Sequence, residues 1–275
     1  MPHADFALFS PPATQLDGLL PDWARDLVDL QTAIPELARD ARRLAELDCV
    51  IGEIPTLHRS VHGDARELVG IDENSVHLVL TSPPCWTLKE YRDSEGQLGH
   101  LHDYHCFLAE LDRVGRRCFD ALVPGGRLIC VVGGVCLSRR KNNGRNTVVP
   151  LHASIQEHCR EIGFDNLAPI IWNKIANVVH EVDNGGGGFL GKPYHPAPFP
   201  ITLADRLICM FSFVGDTVLD PFSGTGSTAI AAIGSGRHSI GYEIDGHYVA
   251  LARRRILEKT GRLLCRARFE AHDLC

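Results

Sequence analysis

TVLDPFSGTGSTAIAAIGSGRHSIGYEID runs from Thr217 to Asp245 and fixes the fold class. TVL is a short apolar strand, and the loop DPFSGTG turns tightly on glycine. STAIAAIGSG then has helical spacing, and HSIGYEI is a second strand. Gly224 and Gly226 allow a sharp turn and a close backbone approach to a ligand. Glu243 ends the second strand, where a carboxylate can accept hydrogen bonds from both hydroxyls of a ribose. A dinucleotide site has the spacing GxGxxG, but its third glycine is absent here, where Ser227, Thr228 and Ala229 follow Gly226. Asp220 at the head of the loop also opposes a pyrophosphate. An acid beside glycines suits a nucleoside ligand carrying positive charge; a lone GxG is otherwise a plain tight turn.

The same alternation continues upstream. LHRSVHGD is a strand ending at Gly63-Asp64, and HLVL is a second strand running into TSPPCW (Thr81 to Trp86). The spacing predicts a helix over 103–122 that stops at Pro124-Gly125-Gly126. RLICVVGGV, a helix HASIQEHCREIG and a strand LAPIIW follow. ITLADRLICMFS and DGHYVALARRRILEK are further helices. Strands alternating with helices imply a mostly parallel sheet covered on both faces. Ligands in such sheets bind beyond the carboxyl ends of the strands. Gly63-Asp64, Ser82-Pro83-Pro84 and Asp220-Pro221-Phe222 all fall at such ends, which points to one site. Two prolines closing a buried strand remove ladder donors and leave carbonyls exposed.

The chain divides into 1–50, a helical arm; 51–137, the first half of the sheet; 138–194, basic and glycine-rich loops; 195–262, the half with the glycine loop; and 263–275, a tail. Trp23, Leu27, Leu30 and Ile34 share one face of the arm, and Pro35 is expected to break its helix. The amphipathic arm would allow a homodimer.

Composition excludes several classes. The chain has 275 residues, 44% hydrophobic and 23% charged, as in an ordinary globular protein. No apolar run approaches the ~18 residues of a membrane span, and the first residues do not read as a signal peptide. Ten scattered cysteines with no CxxC pair fit buried thiols in the cytoplasm rather than disulfides or a metal site. Net charge is −6, yet SRRKNNGR (Ser138 to Arg145) carries four basic residues and no acid. That is either a solvated turn or a phosphate-contacting loop.

TSPPCWTLKEY, GQLG (Gly96 to Gly99), PGGRL, HPAPFP and DPFSGTGST, in this order, resemble the permuted (β-group) amino-methyltransferases of DNA. In that family the Ser/Asp-Pro-Pro-aromatic motif precedes the S-adenosylmethionine loop, and the resemblance spans roughly 57–258. It implies a Rossmann-like seven-strand methyltransferase sheet, S-adenosylmethionine as cofactor and double-stranded DNA as partner, with no metal. It also implies methyl transfer to the exocyclic amine of a flipped base. Ser82 and the carbonyls of the Pro83-Pro84 corner are then catalytic, accepting the two N–H bonds of the amine. Asp220, Pro221, Phe222, Ser223, Gly224 and Gly226 line the methionine end, Glu243 holds the ribose, and Asp64 approaches the adenine. Thr81, Thr228, His195 and Pro200 close the cofactor pocket. The family's stacking ring follows the prolines directly, but here that position is Cys85 and Trp86 comes one later; either Trp86 takes over the stacking as a catalytic residue, or Cys85 lines the target pocket.

Serine before the prolines leans toward cytosine N4; adenine N6 is the alternative, and a non-catalytic nucleic-acid-binding protein on the same fold is the alternative of another class. Relatives usually carry a recognition segment where GKPYHPAPFP is continuous here, between Tyr194 and His195. The DNA contacts would then fall on Arg139, Arg140, Lys141 and Arg145, then Lys174 and Lys192. A second Ser-Pro-Pro, at Ser10 in FALFSPPAT, lacks the strand–helix frame and is a leader. A companion restriction nuclease would fit such a modification enzyme.

Overall fold

In the computed structural model the described residues are 18–86, 92, 94–137, 139, 143–172, 200–261 and 266–275. Strands β1 (Leu57–His62), β2 (Val76–Thr81), β3 (Leu122–Cys130), β6 (Thr217–Asp220), β7 (His238–Glu243) and β8 (Arg268–Asp273) form one sheet in the order β3-β2-β6-β7-β1-β8. All five neighbour pairs are parallel. A separate antiparallel ribbon joins β4 (Val135–Leu137) to β5 (Thr147–Val149).

β2 shows why the sheet must be covered twice. Leu78, Val79 and Leu80 are all fully buried although successive side chains point to opposite faces. On one face Val79, Val61, Leu219 and Tyr242 pack with Val114 and Cys118 of α4 (Tyr104–Ala121). On the other, Leu78, Leu80 and Val218 meet Leu207 and Ile208 of α6 (Ile201–Phe211) and Ala231 and Ala232 of α7 (Ser227–Gly234). Each such buried aliphatic side chain contributes roughly 1.5–3 kcal/mol. The Asp103 carboxylate caps α4 through the Cys106 N–H at 2.8 Å, as the predicted start of that helix requires. α5 (Leu151–Ile162) packs beside α4, and α8 (Gly246–Thr260) covers β1 and β8.

The order places the site. From β6 the chain moves through α7 to β7 on one side, whereas β2 leads to β3 on the other. The direction of winding therefore reverses between β2 and β6, which are paired neighbours. A crevice opens at the carboxyl ends of such a pair. Because β2, β6, β7 and β1 are consecutive in the sheet, the Ser82, Asp220, Glu243 and Asp64 corners stand in a row.

Four expectations change. The sheet has six strands among the described residues rather than seven. LAPIIW pairs with none of them; Leu167, Ile170, Ile171 and Trp172 are exposed, and Pro169 removes a ladder donor from the middle of the segment. Within the tail, β8 pairs along all of β1, and Arg59, buried on β1, bonds Glu270 at 2.9 Å. Pro124-Gly125-Gly126 lies inside β3 as an irregularity, since Val76 pairs with Leu122 and Leu78 with Arg127. In the arm, α1 (Asp22–Arg25), α2 (Leu30–Leu37) and α3 (Ala41–Glu53) are separated by breaks at Asp26–Asp29 and Ala38–Asp40, and Pro35 sits within α2. Asp29 and Asp40 cap the helices that follow these breaks, and α3 carries the arm's last helix past residue 50.

Candidate functional site

An open cleft of about 590 Å³ lies across the row of strand ends. Its wall includes Gly63, Asp64, Ser82, Pro84, Pro221, Phe222 and Glu243, drawn from four corners of the sheet. Gly96, Gln97 and Leu98 of GQLG close one side, and Ile244 and Tyr248 add apolar surface.

Asp220 ends β6 and is 2% exposed. Its carboxylate accepts from Thr81 Oγ1 at 2.7 Å, the Phe222 N–H at 3.1 Å and Thr228 Oγ1 at 2.6 Å. Burial pushes this carboxyl up to about 6, against the downward pull of the Thr228 and Thr81 hydroxyls and the Phe222 N–H. Asp220, Thr81 and Thr228 thus form a buried brace tying β2, β6 and α7 together, rather than part of the cleft wall.

The glycine loop uses its own donors. The Ser223 N–H donates to Tyr242 O, Gly224 N–H to Glu243 Oε2, and Gly226 N–H to Ser223 O, at 2.8 to 2.9 Å. These amides do not form a cradle for a pyrophosphate, in agreement with the acid at the loop's head. Gly226 has φ +81°, and a Cβ there would sit 3.2 Å from that of Ala252. Gly241, in β7, was missed: a Cβ on it would come within 2.8 Å of Ser223 Cβ, so the loop lies directly on the strand backbone.

Glu243 accepts from the Gly224 and Asp245 N–H groups, each at 2.9 Å. Burial raises its carboxyl to about 7, although both backbone donors pull it down. Each of its oxygens retains a second lone pair for a ligand hydroxyl. Asp64 differs. Burial acts to raise it, but the Arg66 side chain and N–H outweigh this and hold it below the usual carboxylate range. Arg66 also reaches Glu110 on α4 at 2.8 Å. Sequence reasoning missed Arg66 and Tyr248, which match no motif.

At the Ser-Pro-Pro corner, Ser82 Oγ donates to Val131 O at 3.0 Å. The Val131 N–H donates in turn to Thr81 O at 2.8 Å, extending the β2–β3 ladder to the corner. A carbonyl can only accept, so the Ser82 proton is committed and its lone pairs are left to accept from the cleft. Cys85 and Trp86 are not on the cleft wall. Trp86 has φ +47° and packs in an apolar cluster, edge-on to Tyr104 with ring centroids 5.0 Å apart. Its indole N–H is buried with no hydrogen-bond partner among the described residues.

Pro200 starts α6. Arg139 and Arg145 fall in the connection between β4 and β5 and do not line the cleft. Ser10, Arg140, Lys141, Lys174, Lys192, Tyr194 and His195 lie outside the described residues. No cluster of His, Cys, Asp and Glu among the described residues is arranged to hold a metal ion, and no described helix is long and apolar enough to cross a membrane.

The donor set fits S-adenosylmethionine. Phe222, Leu98, Ile244 and Tyr248 offer apolar surface to a base, Glu243 offers acceptors to a ribose, and the carboxylates of Glu243 and Asp64 favour a cationic ligand.

A family model described as a DNA methylase (N6_N4_Mtase) matches residues 171–254. Type II methyltransferase M.MjaI of Methanocaldococcus jannaschii is 32% identical over 274 aligned residues, covering 70% of this chain and 89% of its own. The structure of a putative DNA modification methylase, TTHA0409 from Thermus thermophilus, superposes with a TM-score of 0.61 at 43% identity, over 78% of this chain and 99% of that one. The same protein complexed with S-adenosyl-L-methionine gives a TM-score of 0.57 at 40% identity, over 78% and 100%. PvuII DNA methyltransferase (cytosine-N4-specific) shares the fold, with a TM-score of 0.50 at 22% identity over 81% of this chain and 98% of that one.

Proposed function

Since the chain belongs to the amino-methyltransferase family of DNA and takes S-adenosylmethionine as its cofactor, we propose that it methylates cytosine N4 in double-stranded DNA, at specific sites. The observation that carries this reading is Ser82: it lines the cleft with its proton held by Val131 O, which leaves its oxygen free to accept.

An exocyclic amine is a poor nucleophile because its lone pair is delocalised into the ring. Ser82 Oγ and a carbonyl of the Pro83-Pro84 corner accept its two N–H bonds. They draw the nitrogen toward tetrahedral geometry and aim its lone pair across the cleft. The cofactor supplies an electrophilic methyl group on a sulfonium. Glu243 orients the ribose, Asp64 approaches the adenine, and Pro221, Phe222 and the loop glycines fix the methionine end over the Asp220 brace. Rate comes from this alignment. A neutral serine suits the N4 amine; a carboxylate in its place is the commoner partner of adenine N6 in the resemblance above. The basic residues Arg139, Arg140, Lys141, Arg145, Lys174 and Lys192 serve as DNA contacts, and the arm, which leaves Val28, Leu30 and Ile34 exposed, serves a homodimer.

The test is to incubate the protein with labelled S-adenosylmethionine and unmethylated DNA of mixed sequence, digest, and identify the modified nucleoside. N4-methylcytosine is expected. N6-methyladenine overturns the choice of base, and unlabelled DNA overturns the reading altogether.

A further inference from the structure

We propose that the β4–β5 ribbon reads base edges in the duplex beside the target base, with Arg139 as a specificity-determining residue that pairs with guanine. This rests on the DNA reading above and deepens it.

The ribbon stands outside the main sheet, with Val135 paired to Val149, Cys136 to Val148 and Leu137 to Thr147. Its two faces differ. Val135 is 1% exposed and packs with Val149 in the cluster that also holds Trp86, whereas Cys136 and Val148 on the opposite face are exposed. One face is therefore rooted in the apolar cluster behind the catalytic corner, and the other is turned to solvent. The root is close in the chain as well. Val131, whose carbonyl holds the Ser82 proton, is four residues before β4.

The far end of the ribbon is built to hold one residue still. The Arg139 N–H donates to Asn146 Oδ1 at 3.0 Å, and Arg139 O accepts from the Gly144 N–H at 2.9 Å. Asn143 and Gly144, at φ +45° and +81°, supply the left-handed turn that brings those groups back. Both backbone polar groups of Arg139 are thus fixed while its side chain is exposed. A contact to phosphate needs only charge. A guanidinium paired to guanine O6 and N7 needs direction, and a fixed backbone reduces what is lost in ordering it. The major groove, about 12 Å wide, admits a two-stranded ribbon. Eight residues separate Val131 from Arg139, at most roughly 28 Å of extended chain. With ~6 Å for the arginine side chain, that bounds the contact to within about ten base pairs of the methylated base at 3.4 Å per pair.

The experiment methylates a randomised duplex library with the full chain and maps the modified sites by sequencing, for wild type, Arg139→Ala and Arg139→Lys. S-adenosylmethionine affinity is measured on each protein to show that it is folded. The expected result is a wild-type motif containing guanine. Both variants lose preference at one guanine within about ten base pairs by roughly 5- to 150-fold, and keep the other positions. A uniform fall with the motif intact, rescue by lysine, a relaxed position further away, or loss of all methylation in both variants overturns the proposal. If wild type labels no DNA, the methyltransfer reading falls and this one falls with it; if wild type yields a motif that Arg139→Ala leaves unchanged, only this one falls.

Discussion

Replacing Asp220 with asparagine is expected to stabilise the fold at neutral pH while weakening cofactor binding. The carboxyl is 2% exposed, and burial raises it from 3.8 to about 6. Between about pH 4 and 6 the folded chain therefore retains a proton that the unfolded chain has lost. Stability from this group is fully present below about pH 4 and is lost as pH rises through about 6. A shift of about two units corresponds to a loss on the order of 3 kcal/mol. Asparagine escapes that loss and keeps the geometry. Its carbonyl can still accept from Thr81 Oγ1 and the Phe222 N–H, and its amide can donate to Thr228 Oγ1, since a threonine hydroxyl rotates to accept. Urea unfolding of both proteins from pH 4 to 8 reads the effect. The stability of Asp220→Asn minus that of wild type should grow by about 3 kcal/mol across the range and level off above about pH 7. A difference independent of pH, or one favouring wild type increasingly with pH, refutes the reasoning. Calorimetric titration with S-adenosylmethionine should show weaker binding, because a negative charge beneath a cationic ligand is gone.

Ser82→Ala should lower methyl transfer by roughly 100-fold or more while leaving cofactor affinity within about twofold, because it removes an acceptor aligned with the amine; Ser10→Ala should leave both unchanged. Glu243 rises to about 7, so S-adenosylmethionine affinity measured by calorimetry should strengthen between pH 6 and 8 as the carboxylate ionises, and Glu243→Gln should flatten that dependence. Ending the chain after Ala267 removes β8, exposes the edge of β1 and strips buried Arg59 of Glu270; a loss of at least about 2 kcal/mol in unfolding stability, with aggregation, is expected.

The central strands and their corners were legible because a parallel sheet leaves a strong mark: apolar runs too short for helices, each ended by glycine or proline. HLVL, TVL and HSIGYEI needed nothing else. β8 was illegible for the opposite reason. RFEAHD lies at the sheet's edge, where exposed charges suppress the apolar pattern, and its position depends on Glu270 meeting an arginine more than 200 residues earlier. The ribbon escaped notice because each strand is only three residues long, and its turn depends on Asn143 adopting positive φ. Within the site, the glycines, Ser82 and Glu243 belong to local motifs. Arg66 does not, because its importance comes from joining its near neighbour Asp64 to Glu110, an acid that only the fold brings within range.

The three acids of the strand ends are not equivalent, and their differences divide the work. Asp64 is held ionised by Arg66, so its charge is insensitive to pH near neutrality. Asp220 is buried and fully engaged by three donors, which makes it a brace whose charge acts on the cleft from below. Glu243 alone of the three combines a place on the cleft wall with a carboxyl raised to about 7. Protonation of Glu243 is therefore the step through which pH would act on cofactor binding, and it acts on the loop as well. Its Oε2 also receives the Gly224 N–H, so neutralising it weakens the bond that seats the glycine loop on β7. Cofactor affinity and loop order should fall together below pH 7, and amide exchange at Gly224 measured alongside the calorimetry should rise in parallel. Exchange that stays constant while affinity falls would separate the two and assign the pH response to the ribose contact alone.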